Sequence, residues 1–212
     1  MSRLRFLRDE RAGTMAEFAL TLPLLMTFLF AIIDGGRYLY QRNKLEKAAQ
    51  MGVRMAVVTT PVATGLKAMT FTSVVPGETI PASALNPVVC RDTGDCSCTG
   101  TACPSSLARD NAAFERIYDR MKLFYPALLK NNVEIVYSGS GIGYLGDPDT
   151  TSPDVKPVVT VRIRNDATTV AGKTTDNSVT FIPLTGYGWA TMKMPAFQSS
   201  LTAEDLVGSQ SN

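Results

Sequence analysis

A chain of 212 residues with 45% hydrophobic and 19% charged residues and a net charge of +2 has room for one ordinary domain plus an appendage, and carries no strong field. It contains no dense Lys/Arg tract interleaved with aromatics, which argues against nucleic acid as a partner. Histidine is absent, which removes the usual general base of acyl transfer and the commonest nitrogen ligand of catalytic metals, and so weighs against an enzyme.

The first element is a basic leader with Arg3, Arg5, Arg8 and Arg11, running into "RAGTMAEFALTLPLLMTFLFAIIDGGRYLY". Phe18 to Ile33 carry no formal charge. At about 1.5 Å per helical residue that run covers about 24 Å, short of a hydrocarbon core of about 30 Å; counted from Gly13 it reaches about 31 Å. A transmembrane helix over 13–33 therefore works only if Glu17 lies in or near the membrane. An ionised side chain costs on the order of 3 kcal/mol at a helix centre and less near the interface, so Glu17 needs an interfacial position or a partner. A cleaved secretory signal is disfavoured because no Ala-x-Ala site follows the apolar run. Basic residues flank both ends, with Arg37, Arg42, Lys44 and Lys47 following the span, so charge alone does not orient it. Pro23 removes a backbone donor, which either favours a kink or local melting or is tolerated within a membrane helix.

Beyond Ile33 the periodicity predicts a water-exposed continuation of the helix over 34–60, fading between Val58 and Pro61. Leu39, Leu45, Ala48, Ala49, Gly52, Met55 and Ala56 recur at helical spacing, with Arg42, Lys44, Glu46 and Lys47 for the other face. The small residues suit close packing inside this subunit. Asp34-Gly35-Gly36 is the expected membrane exit and a flexible point.

The ordered combination Glu17-Phe18-Ala19-Leu20, Pro23, Asp34, Gly36-Arg37, Leu45, Ala48-Ala49, Gly52 and Arg54 resembles the N-terminal region of the TadE-like family, minor pilins or pseudopilins of tight-adherence (Tad) pilus systems. The resemblance implies that a prepilin peptidase cuts the cytoplasmic leader in front of the apolar helix, leaving the glutamate fifth in the mature chain. That register puts the cut between Ala12 and Gly13 and makes 1–12 the leader. Family members usually carry glycine before the cut; a cut after Gly13 would place Glu17 fourth, so both sites stay open. The family further implies that Glu17 pairs with the freed amine of a neighbouring subunit on assembly. The implied partners are the inner membrane, the prepilin peptidase, the major and minor pilins of the same pilus and the pilus assembly platform. The implied location is a single-pass bacterial inner-membrane protein, N-terminus cytoplasmic and C-terminal domain periplasmic, contributing to a pilus used in adhesion.

From "TTPVATGLKAMTFTSVVPGETIPASALNPVV" onward the texture is irregular with short strands. All four cysteines then fall in "CRDTGDCSCTGTAC": Cys90, Cys96, Cys98 and Cys103. The C-x5-C-x-C-x4-C spacing lacks the paired C-x2-C knuckles of common zinc folds, and beyond a membrane span with a cytoplasmic leader it faces an oxidising compartment, so disulfides are expected and no metal. A Cys96–Cys98 bridge would strain bond geometry. Two pairings stay open: Cys90–Cys96 with Cys98–Cys103, or Cys90–Cys98 with Cys96–Cys103. Either staples the loop 90–103.

Asp110 is placed to cap a second helix whose Phe114, Ile117, Met121 and Phe124 share one face, ended or kinked by Pro126. "NVEIVYSG", "KPVVTVRIRN", "SVTFIPL" and "GWATMKMP" read as strands, and Val159, Val161 and Ile163 alternate with Thr160, Arg162 and Arg164 as in a sheet with one wet face. The tail 199–212 has little to bury and is expected to be mobile. "DNSVT" at 176–180 matches a D-x-S-x-[ST] cation pattern but lacks the α/β remainder such domains need, and reads as a turn. Gly139, Gly141 and Gly143 follow a strand but precede no helix, which disfavours phosphate binding.

The expected fold is α+β and pilin-like: a long N-terminal membrane-spanning helix, a small antiparallel sheet domain over 61–198 and one additional helix. The expected function is structural, assisting initiation or assembly of a Tad-type pilus, with no catalytic residue and no cofactor. The competing expectation is an unprocessed, membrane-anchored periplasmic binding module.

Overall fold

The computed structural model describes residues 10–69, 71, 74–146, 154–170, 173–184, 191–203 and 206. It divides into two compact units, Met1–Gln41 with Phe181–Met192 and Arg42–Thr180 with Lys193–Asn212.

Helix α1 (Glu10–Ala56) runs without a break through Pro23 and through Gly35-Gly36. Local melting at Pro23 is therefore absent. Thr21 and Thr27 donate their hydroxyls to the carbonyls of Phe18 and Leu24 at 3.2 and 2.8 Å on either side of the proline. The helix ends at Ala56, two residues before the expected fading zone, as Val57 N–H still bonds Val53 O at 3.0 Å and the chain turns toward Pro61.

In the larger unit the core is built on a five-stranded antiparallel sheet, ordered β2 (Ser97–Cys98), β1 (Val88–Cys90), β3 (Val133–Ser138), β4 (Val158–Ile163), β9 (Phe197–Thr202). β3 and β4 pair from Val133 opposite Ile163 to Ser138 opposite Val158. Val133, Ile135 and Tyr137 therefore share a face with Val159, Val161 and Ile163, and all six are buried. Leu45, Ala48, Ala49, Gly52, Val53 and Ala56 of α1 and Ala113, Phe114, Ile117, Tyr118 and Met121 of α2 (Asn111–Lys122) are buried in the same unit, with Gly52 set against Met121 of α2 and Val161 of β4. Gly52 shows why small residues recur there. A Cβ at this position would stand 2.7 Å from Met121 Cγ and Sδ and 3.2 Å from Val161 Cγ1. The packing role within the subunit expected for this stripe holds for Leu45, Ala48, Ala49, Gly52 and Ala56, while Met55 is half-buried and Leu39, expected on the same face, is 55% exposed.

Asp110 caps α2 as expected, its carboxylate accepting from Ala113 N–H at 3.0 Å. α2 stops at Lys122, ahead of Pro126, which leaves Phe124 outside the helix and half-buried. β3 and β4 fall inside the expected strands. The other two shrink, to β7 (Thr180–Phe181) and β8 (Met192–Lys193), which form a two-stranded ladder; Gly188 to Ala190 of the expected strand lie outside the described residues. Two further strands, β5 (Ala167–Val170) and β6 (Lys173–Asp176), pair as a hairpin that periodicity did not signal, because Thr-rich strands show no apolar alternation.

The described start of the tail is ordered. Residues 199–202 belong to β9, which pairs with β4 over its whole length, and Ala203 and Leu206 are buried. An edge strand needs a partner backbone more than an apolar face: only Phe197 of β9 is buried, while Ser200 Oγ meets Thr160 Oγ1 at 2.8 Å across the pair. Residues 204, 205 and 207–212 lie outside the described residues.

Candidate functional site

Two regions concentrate the residues that sequence reading singled out, one on α1 and one in the cysteine loop. On α1, Gly13 to Ile33 are exposed, including Phe18, Leu20, Leu24, Leu25, Phe28 and Ile32. The helix is long and apolar enough to cross a membrane, and its most apolar window, with mean hydropathy 2.1, is 0% buried within the chain. A soluble core helix of this composition would be covered, so the uncovered surface has a non-aqueous environment outside the chain to meet. Glu17 is exposed at the front of this surface, one turn past Gly13, and among the described residues no cation pairs with it. A Cβ at Gly13 would meet nothing within 4 Å. The side chain of Ala12 lies outside the described residues.

Asp34 ends the apolar run and is engaged rather than free. Arg37 donates to its carboxylate at 2.8 Å, and the backbone N–H of Leu184 donates to the same oxygen at 2.9 Å. The ring of Phe181 lies edge-on to Tyr38, centroids 5.5 Å apart, with the Arg37 guanidinium 5.6 Å from its centre. The contacts fall on one helical face, at positions i, i+3 and i+4. Asp34 is the expected exit, but its partner Leu184, 150 residues along the chain, has no local signal in the sequence.

In the loop, Cys90 pairs with Cys96 and Cys98 with Cys103, which selects the first of the two open pairings. Among the described residues there is no free cysteine. The pairing follows from strand placement: Cys90 closes β1 and Cys98 sits in β2 opposite Val88, so neighbouring strands hold them out of mutual reach. The loop is further tied by Cys96 N–H to Leu107 O at 2.8 Å and Asn86 N–H to Ala102 O at 2.7 Å.

A third cluster was not legible beforehand. Glu134, buried in β3, accepts from Arg91 at 2.9 Å and lies 3.5 and 3.9 Å from Arg162 and Arg164. Arg164 is itself buried and donates twice to Asp166, at 2.9 and 2.7 Å, which holds that carboxyl below its ordinary range. Glu134, Arg162, Arg164 and Asp166 border an open cavity of about 400 Å³ that also touches Phe197 and Gln198. Each carboxylate here is committed to guanidinium, so the cluster offers a locked ion network rather than a general base. The one advance signal was a lone charge inside the apolar run "VEIVYS".

The "DNSVT" segment is a turn: Asp176 accepts from Ser178 N–H at 2.9 Å and pairs with Lys193 at 2.8 Å. The hydrogen bond from Lys193 holds its carboxyl low. Among the described residues no three His, Cys, Asp or Glu side chains gather as a metal site would require.

No curated protein and no solved structure matches the chain. The TadE family, described as TadE-like protein, matches residues 13–54, about a fifth of the chain. That stretch runs from the expected cut to the small-residue stripe and contains Glu17, Pro23, Asp34, Arg37 and Gly52. The segment that leaves its apolar surface bare and presents Glu17 at its head is therefore TadE-like, in agreement with the resemblance read from its residues.

Proposed function

We propose that this chain is a structural pilin-like component of a Tad-type pilus, processed between Ala12 and Gly13 and assisting pilus initiation or assembly through Glu17. The observation that carries the reading is a membrane-length apolar helix, uncovered within the chain and headed by a lone carboxylate, in the TadE-like segment. Before assembly Glu17 sits at the membrane edge, where its charge costs least. When a neighbouring subunit brings a freed N-terminal amine to it, the pair neutralises two charges that are each costly in hydrocarbon, and the helices are fixed in register. The partners in this reading are the prepilin peptidase, the other pilins and the assembly platform. The disulfide loop fits a periplasmic placement of the larger unit, since two bridges persist in an oxidising compartment.

Ala12, where glycine is usual before the cut, favours the second reading, an unprocessed single-pass anchor for a periplasmic binding module. The intact mass of membrane-extracted protein separates the two. A chain beginning at Gly13 supports processing in the stated register, and one beginning at Thr14 supports processing one residue later. A full-length mass from cells with active prepilin peptidase would overturn the pilin reading in favour of the anchored module.

A further inference from the structure

We infer that the segment Phe181–Leu184, where β7 ends, is a second lipid-contacting element, seating Ile182 and Leu184 at the boundary between headgroups and acyl chains of the bilayer that α1 enters; this rests on the membrane reading of α1. The segment is fixed to a definite level of the helix. Leu184 N–H bonds Asp34, and Phe181 packs on Tyr38 beneath the Arg37 guanidinium. Asp34 to Tyr38 is the first turn after the apolar run, and at about 1.5 Å per residue Tyr38 lies about 7 Å past Ile33. The headgroup region on each side of a bilayer is of similar depth, about 5 to 8 Å, so a segment fixed to this stretch of helix lies within it.

Its exposed chemistry suits that layer. Phe181 and Pro183 are buried, whereas Ile182 is 66% and Leu184 68% exposed, two branched aliphatic side chains left uncovered among the described residues. On α1 at the same level Leu39 and Tyr40 are exposed as well, at 55% and 60%, so the helix itself presents large side chains at this depth. The polar groups beside them are already answered: Asp34 has Arg37 and the Leu184 amide, so placing this level against lipid strands no bare carboxylate. An interfacial Tyr and Arg beside aliphatic side chains is the composition that membrane boundaries select.

The test uses the full chain in nanodiscs, with Trp189, its single tryptophan, replaced by Phe and a new tryptophan introduced as Leu184→Trp. Ile182→Trp serves as the second variant should the first disturb the segment. Phe28→Trp in α1 and Leu129→Trp, an exposed position of the larger unit, are the references. With lipids brominated near the top of the acyl chain, tryptophan at 184 or 182 is expected to lose roughly half its emission, while that at 129 is unchanged. Quenching at 182 and 184 no greater than at 129, with Phe28→Trp quenched, overturns the inference and leaves the spanning helix intact. Shielding from an aqueous quencher that grows with protein density, without quenching by brominated lipid, would assign the segment to a second copy and likewise overturn it. Loss of quenching at 28 as well removes the membrane reading and this inference together.

Discussion

α1 is one helix with two surfaces. From Phe18 to Ile33 it carries large side chains that stay exposed; from Leu45 to Ala56 its inward positions are mostly small and wholly buried. The difference shows what each half is for. Large aliphatic and aromatic side chains maximise contact with a fluid surrounding that adapts to them. Ala48, Ala49, Gly52 and Ala56 instead allow the backbone to approach a fixed neighbour, and Gly52 stands so close to Met121 and Val161 that a methyl group would collide. Hydropathy therefore separates two kinds of helix surface less well than side-chain size does.

The contrast can be broken most sharply by truncating one leucine in each half. Leu45→Ala should destabilise the larger unit by about 2 to 5 kcal/mol, because a fully buried side chain leaves a cavity. Leu25→Ala, exposed at 54%, should leave the same unfolding transition unchanged. Urea denaturation in micelles, followed by near-UV circular dichroism, reads both, and an equal effect of the two substitutions would end the distinction.

The buried half also depends on a polar detail. Tyr137, 0% exposed, accepts the Val62 N–H through its hydroxyl at 2.9 Å, and burial pushes its phenol well above the ordinary value. Tyr137→Phe should cost about 1 to 3 kcal/mol, the desolvation of an amide left without a partner. An unchanged midpoint in the same denaturation experiment would show that water reaches Val62.

The smallest effect is expected at Asp166, whose carboxyl is held low chiefly by the hydrogen bonds from Arg164. Its side chain is 55% exposed, so the solvent-screened pair should contribute below about 1 kcal/mol. A carboxyl depressed on folding contributes stability that is present above its unfolded value of about 3.9 and lost as pH falls through the lower folded value. Asp166→Asn should thus lower stability at neutral pH, and the gap from the parent chain should close below about pH 4. A gap that widens in acid would contradict the sign.

Much of this architecture was legible in the sequence because its signals are local. Asp110 before an apolar face announces α2, alternation in "VVTVRI" announces β4, and Glu17 before an uncharged run announces the head of a membrane-length helix. What escaped was set by distant partners. β9 is too polar to read as a strand and exists because β4 offers it a backbone edge. The cysteine pairing depended on where β1 and β2 hold Cys90 and Cys98, which spacing cannot tell. The contacts of Asp34 with Phe181–Leu184, and of Glu134 with three arginines, join residues far apart in the chain, and only isolated charges hinted at them.

If Glu17 is an assembly contact, the Glu17→Ala chain shows it by two readings taken together. Removing a charge from the membrane edge should leave membrane yield equal or higher, whereas pilus number per cell, or co-purification with the other pilins, should fall, since an incoming amine left unpaired costs about 2 to 5 kcal/mol. A lower yield with unchanged assembly per inserted molecule would make Glu17 an interfacial anchor and contradict the account.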